Sequence, residues 1–250
     1  MAAPAIARRD LDAVLFDLDG VVTKTAALHA AAWKRLFDEY LRRRAEREGG
    51  AFEPFDEEMD YRQYVDGKPR YDGVRSFLCS RDIVLEDGEP SDPPDKETVC
   101  GLGNRKDGYF ERDVASRGVK TYEGTIGLIR QLKAQGFKVA VVSASKHGAA
   151  ILEAAHIAGL FDARVDGNDA ERLGLEGKPR PATYLEAARR LAVPPGRAAV
   201  VEDAIAGVQA GRAGCFGLVI GVNRSSTRGM LLEHGADVEV GDLSEVSVSP

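Results

Sequence analysis

Cysteine is scarce in this chain: Cys79, Cys100 and Cys215 are odd in number, and none stands in a C-x-x-C pair. That argues against a disulfide framework and against a structural zinc site, and it makes a reducing cytoplasm the expected compartment. Positive charge is also short, with 34 Lys and Arg against 40 Asp and Glu and a formal net charge of -6. Without a basic footprint, neither nucleic acid nor an anionic membrane is an expected partner, and any phosphate must be met by locally placed cations. No apolar run approaches the roughly 18 residues of a spanning helix, and the apolar stretch of MAAPAIARRD is too short for a signal peptide. Internal repeats and low-complexity tracts are absent too. What is present is a globular composition, 250 residues with 44% hydrophobic and 30% charged, enough for one large domain or one domain with a smaller one appended.

Against that background the run DAVLFDLDGVVT, Asp12 to Thr23, stands out. Ala13, Val14, Leu15 and Phe16 form a short continuous apolar block, which fits a strand buried on both faces of a parallel sheet. Asp17 and Asp19 follow at its carboxyl end, the side on which open α/β sheets bind ligands. A strand running into an ordinary polar turn, Asp-Leu-Asp-Gly, is the competing reading.

Further along, Ala26 to Arg47 carries the apolar series Leu28, Ala32, Leu36, Tyr40 and stops at Gly49 and Gly50, which predicts a long helix. Helices are also predicted over 57–65, 71–80 and 96–116, separated by the loop DGEPSDPPD, and no strong strand falls among them. After Gly118 the chain alternates: helix 125–135, strand 138–143, helix 146–155, strand 163–166, helix 181–191, strand 198–202, helix 205–213, strand 217–222 and a last strand near Val238. Such alternation implies a doubly wound, Rossmann-like parallel sheet with helices on both faces. The α/β fold is expected to comprise residues 1–23 and 119–250, interrupted after its first strand by an inserted α-helical domain over 24–118.

Four strand ends carry polar residues suited to phosphate or metal. The first has Asp17 and Asp19, the second Ser143, Ser145 and Lys146, the loop after the third Lys178 within GKPRP, and the fourth Glu202 and Asp203. Acids from two strands suit a hard cation such as Mg2+, which takes oxygen ligands and touches substrate phosphate. Hydroxyls, helix-start N–H groups and a lysine supply donors for phosphoryl oxygens.

DLDGVVT, VVSAS, GKPRP and VEDA, in that order and with a helical insertion after the first, resemble the four motifs of the haloacid dehalogenase superfamily, in its β-phosphoglucomutase-like branch. The resemblance implies that Asp17 is a nucleophile taking up a phosphoryl group and Asp19 a general acid/base. It makes Ser143 and Lys178 the phosphate-holding pair and assigns Mg2+ to Asp17, Asp19 through its carbonyl, Glu202 and Asp203. Within the insertion, TAALHAAAW, DGKPRYDGVRSFL and NRKDGYF match the mutases, which implies substrate-binding roles for His29, Trp33, Gly67, Arg70 and Lys106. Arg70 would hold the distal phosphate of a bisphosphorylated sugar, with Ser145 and Lys146 of SASK on the same phosphate.

The expected reaction is therefore Mg2+-dependent interconversion of β-glucose 1-phosphate and glucose 6-phosphate, with a small sugar phosphate as partner. The expected state is a monomer, with oligomers left open. A sugar-phosphate phosphatase and a non-catalytic binding protein on the same fold are the alternatives; the intact set of acids, serine and lysine weighs against the latter. For the inserted residues, Arg70 and Arg75 as surface cations, His29 as a core or rim histidine and Trp33 as plain packing stay open. The chain also departs from the mutase pattern: Lys24 replaces an acid, His147 replaces an asparagine, and extra residues occupy about 41–60 and 82–98.

Overall fold

Uninterrupted apolar runs make the central strands. Ala13–Asp17 and Ala198–Glu202 are buried at every position, and Lys138–Val142 exposes only its first residue, as strands covered on both faces must. The structure, a computed structural model, describes residues 4–224 and 229–249. In chain order it runs through β1 (Ala5–Ala7), β2 (Ala13–Asp17), α1 (Ala26–Glu48), α2 (Arg70–Ser80), α3 (Val99–Arg117), α4 (Glu123–Ala134), β3 (Lys138–Val142) and α5 (Gly148–Ala154). It continues through β4 (Ala163–Val165), α6 (Gly167–Leu173), α7 (Ala182–Arg190), β5 (Ala198–Glu202), α8 (Ile205–Ala213), β6 (Leu218–Val222), α9 (Met230–Glu233), β7 (Val238–Val240) and β8 (Ser247–Ser249). Two compact units result, Met1–Lys24 with Val119–Pro250, and Thr25–Gly118. No helix among the described residues is long and apolar enough to cross a membrane.

The first unit is built on a parallel sheet in the order β4-β3-β2-β5-β6-β7. Counting β2 as the first strand, this is the doubly wound Rossmann order 3-2-1-4-5-6, and β2 and β5 flank the point where the order reverses. Register then levels the strand ends. Phe16 stands opposite both Val141 and Val201, and Asp17 opposite Val142. Asp17, Ser143 and Glu202 thus emerge side by side at one edge. Alternate residues of these strands, among them Leu15, Val142 and Val200, join Tyr184 and Ala187 of α7 and Val208 of α8 in one core.

Several elements differ from the sequence expectation. β1 and β8 pair in parallel, Ala5 with Ser247, as a separate two-stranded sheet; three-residue strands at opposite ends of a chain carry no periodic signal. Helix α6 was unexpected although Asp166 and Asp169 form its capping box, a signature in the sequence. Asp166 caps that helix and does not extend β4. Helix α3 starts three residues later than expected, because Thr98 accepts a hydrogen bond from Gly101 N and acts as N-cap, while Lys96 turns to Asp92. The expected helix over 57–65 is a π-helical turn at Tyr61–Val65 preceded by a short turn.

The second unit is helical, with no strand among its described residues. Helix α1 buries Leu28, Ala32, Trp33, Leu36, Phe37, Tyr40 and Leu41 on one face and packs on α3. Its end is set by Gly49, left-handed at φ 73°. Phe37, Phe55 and Phe77 stack into an aromatic core, with the Phe37 and Phe77 centroids 4.0 Å apart.

Candidate active site

The loop after β2 is folded on itself before any side chain matters. Thr23 N and Oγ1 both donate to the Leu18 carbonyl (2.9 and 3.1 Å), and Gly20 N donates to the Thr23 carbonyl (2.8 Å). Gly20 has φ +96°, and a Cβ there would lie 1.8 Å from Asp203 Oδ2. Only glycine meets both conditions. The cradle brings Asp203 from the end of β5 against the loop that carries Asp17 and Asp19.

Lys178 binds the set together. Its side chain is 1% exposed, and Nζ pairs with Asp17 Oδ1 and, at 2.5 Å, with Glu202 Oε1. Burial alone would favour loss of the ammonium proton, but the carboxylates of Asp17 and Glu202 more than offset it and raise the lysine above its ordinary value. Asp17 is pushed well above the carboxylate range, chiefly by burial; Lys178 opposes this, while the charges of Glu202 and Asp19 add to it.

Glu202 has its hydrogen bonds filled. Oε1 accepts from Lys178 and from Tyr184 OH (2.8 Å), and Oε2 accepts from the N–H groups of Asp203 and Ala204 (both 3.1 Å), where α8 begins. A Cβ at Gly207 would stand 1.7 Å from Oε1. Glu202 is therefore held as the anchor of Lys178. Its carboxylate still has an oxygen within 4.8 Å of oxygens from Asp17 and Asp203, a hard-donor group of the kind that holds a divalent cation.

Ser143 lies one residue past β3, where its Oγ donates to Asp19 Oδ2 (3.0 Å) and accepts from Ser145 N (3.1 Å). The hydroxyl thus orients Asp19. Asp17, Asp19, Ser143, Lys178, Glu202 and Asp203 are all brought together within the first unit. Ser145 Oγ accepts from His147 N (3.2 Å), and Lys146 pairs with Glu171 (2.8 Å). Lys24, at the position of an expected acid, lies over the Tyr122 ring at 5.1 Å.

Sequence reasoning missed three supports of this site. Tyr184 and Gly207 hold Glu202. Arg224, just beyond β6, donates to the Gly20 carbonyl (3.2 Å) and to Asp242 (3.0 Å) while its guanidinium lies 3.5 Å from the Tyr122 centroid. A glycine soon after an acid pair, as in EDAIAG, was a readable sign of close approach. Arg224 carried no such sign, since its partners are distant in sequence.

The second unit gathers another group. Lys106 is buried, with Nζ 2.6 Å from His29 Nδ1 and about equally far from the Trp33 and Phe110 rings (5.0 and 5.1 Å). His29 stacks on Phe110 at 3.8 Å. Gly67, left-handed at φ 70°, lies in the turn before α2, and Arg70 at the start of α2 pairs with Asp107. Trp33 is core packing as well, its ring lying 3.1 Å from where a Gly73 Cβ would stand.

Three comparisons bear on this arrangement. The family model of haloacid dehalogenase-like hydrolases matches residues 11–214. A β-phosphoglucomutase of Mycobacterium tuberculosis is 48% identical over 237 residues, 94% of this chain and 90% of that protein; one of Bacillus subtilis is 30% identical over 242 residues, 95% and 92%. Among solved structures, a β-phosphoglucomutase of Clostridium difficile superposes with a TM-score of 0.72 at 24% identity, covering 94% of this chain and 92% of that one, a likeness of fold.

Proposed function

The chain belongs to the haloacid dehalogenase-like hydrolase family, and from that premise we propose that it is a Mg2+-dependent phosphomutase that interconverts β-glucose 1-phosphate and glucose 6-phosphate. The observation that carries the phosphoryl-transfer reading is the buried Lys178 shared by Asp17 and Glu202. Phosphoryl transfer is mainly positioning and charge neutralisation, and a carboxylate can approach phosphorus only where cations offset the repulsion between anions. Asp17 attacks the phosphorus, the bond to the leaving oxygen breaks, and an aspartyl-phosphate forms. Asp19, oriented by Ser143, gives its proton to the leaving oxygen and recovers one from the hydroxyl that attacks in the return half-reaction. Lys178 holds charge on the phosphoryl oxygens as it passes.

The residues fit Mg2+. Asp17, Asp19, Glu202 and Asp203 set four carboxyl groups against the Lys178 ammonium, and burial already drives Asp17 toward its protonated form, so a further cation is needed to keep the nucleophile charged. Asp17 and Asp203, with the Asp19 carbonyl, would hold it, and Glu202 would serve chiefly through Lys178. When bound, the ion neutralises charge on the transferred group.

The mutase reading is favoured over hydrolysis by the nearly full-length likeness to β-phosphoglucomutases and by Arg70, which we assign to the phosphate that is not transferred. The family description as hydrolases favours the second reading, a sugar-phosphate phosphatase. A coupled assay separates them. The mutase makes glucose 6-phosphate from β-glucose 1-phosphate with little inorganic phosphate, whereas stoichiometric phosphate release establishes the phosphatase. Chelation of divalent ions should abolish either activity, and full turnover in excess chelator would sink the metal assignment.

A further inference from the structure

The loop over 82–98 is wired to Arg70. From within, it is held by the buried Asp92, whose carboxylate accepts from Glu89 N (3.1 Å), Lys96 Nζ (2.6 Å) and Thr98 Oγ1 (2.7 Å). The loop also completes the start of α3: Val99 N donates to the Glu86 carbonyl and Cys100 N to the Asp87 carbonyl, both at 3.0 Å. Gly101 permits the fit, since a Cβ there would lie 2.3 Å from the Lys96 carbonyl oxygen.

Asn104, on the first turns of α3, is the junction. Its Nδ2 donates to the carbonyls of Pro90 (3.0 Å) and Asp92 (2.8 Å), and two acceptors on that side fix which way the amide faces. Oδ1 consequently faces Tyr71, whose hydroxyl donates to it at 3.0 Å. That leaves the tyrosine oxygen's lone pairs for Arg70, and Nη2 donates to it at 3.1 Å. Gly103 of α3 leaves the room that the ring takes up, since a Cβ there would stand 2.7 Å from it. Nη1 of the same guanidinium pairs with Asp107. Arg70 is gripped by two partners while Nε, buried, makes no hydrogen bond among the described residues.

We infer that Tyr71 and Asn104 are positioning residues through which the 82–98 loop sets the affinity for a bisphosphorylated sugar. The inference rests on the assignment of Arg70 to the untransferred phosphate. A free arginine side chain loses rotamer freedom when it grips a phosphate; a guanidinium already oriented has lost it beforehand, so binding bears less of that cost.

The test uses the full chain with Tyr71→Phe, which keeps the ring and removes only the hydroxyl, and with Asn104→Ala. KM for glucose 1,6-bisphosphate should rise about threefold to tenfold in both, the size of one typical hydrogen bond. kcat and acetyl phosphate consumption should hold, which a folding defect would depress. Either substitution placed on Arg70→Ala should add nothing further, because the effect passes through Arg70. Asn104→Ala should also speed proteolysis within 82–98. An unchanged KM in Tyr71→Phe while Arg70→Ala raises it, or additive effects in the double variants, overturns the wiring and leaves the Arg70 assignment standing. An unchanged KM in Arg70→Ala itself overturns both.

Discussion

Lys178 and Arg70 are each cations held against carboxylates, yet different kinds of structure hold them. Lys178 is 1% exposed and is met by Asp17 and Glu202, which project from the ends of the neighbouring strands β2 and β5. Sheet register fixes those two acids, and backbone N–H groups fix Glu202 further. Arg70 is 21% exposed, pairs with Asp107 on a helix, and reaches a loop through Tyr71 and Asn104. On the roles proposed above, chemistry falls to groups set by backbone pairing, and selection to groups set by side chains that a change of loop can retune. A strand end cannot shift without breaking the sheet; a loop hydrogen bond can.

The hardest test of that division is Asp17→Asn. An amide cannot act as the nucleophile, so turnover and labelling by a phosphoryl donor should both vanish while the melting temperature holds; a labelled mutant ends the assignment. Lys178→Met should come next, striking activity and stability together. Without the ammonium, Asp17 and Glu202 lose their shared counter-charge and Asp17 must take up a proton, a loss of about 3 to 5 kcal/mol that denaturant unfolding would measure. Stability within about 1 kcal/mol of the parent chain would mean that the sheet, not the lysine, tolerates the acids.

Arg70→Ala should do the reverse of Lys178→Met, affecting recognition and sparing the fold. Loss of a charged hydrogen-bonding partner predicts about 2 kcal/mol weaker binding of the bisphosphate, roughly thirtyfold in KM. The ratio of glucose 6-phosphate formed to phosphate released should fall with it. If that ratio stays constant, the contrast between the two cations collapses.

The smallest effect is expected where a cation serves neither role. Arg190 holds Asp169 (2.8 Å) and, with smaller help from Arg172 and the Asp166 N–H, lowers its carboxyl from 3.8 to about 2. A depressed acid contributes stability above its unfolded value and loses it as pH falls toward 2, so Arg190→Ala should flatten the acid limb of a stability curve between about pH 4 and 2. The loss at pH 7 should be about 1 kcal/mol or less, and KM for either sugar phosphate should not move. A change in KM would make Arg190 part of recognition.

Much of the site was legible because the signals are local. AVLFD reads as a buried strand ending in an acid, AAVVED as another, and the β–α alternation after Gly118 orders the sheet. Lys178 in GKPRP was legible as a loop cation near the strand ends, and its phosphate-holding role came from the resemblance; nothing in its own neighbourhood announces a lysine buried among carboxylates 161 and 24 residues away. β1 and β8 are three residues each and exist only as a pair, so their pattern is too short to read. The π-helical turn at Tyr61–Val65 fell where an ordinary helix was expected, and periodicity does not separate the two over so few residues.

The amino-acid order alone determined which strands are buried, where they end in carboxylates, and that a helical segment interrupts them, since hydrophobic runs and turn residues act over a few neighbours. Tertiary structure decided the pairings: Lys178 with Glu202, Ser143 with Asp19, Arg224 with the Gly20 carbonyl, and the loop through Asn104 and Tyr71 with Arg70. Hydrogen bonds and ion pairs depend on distances within a few tenths of an ångström between groups far apart along the chain, and those distances exist only once strands are in register and helices are packed.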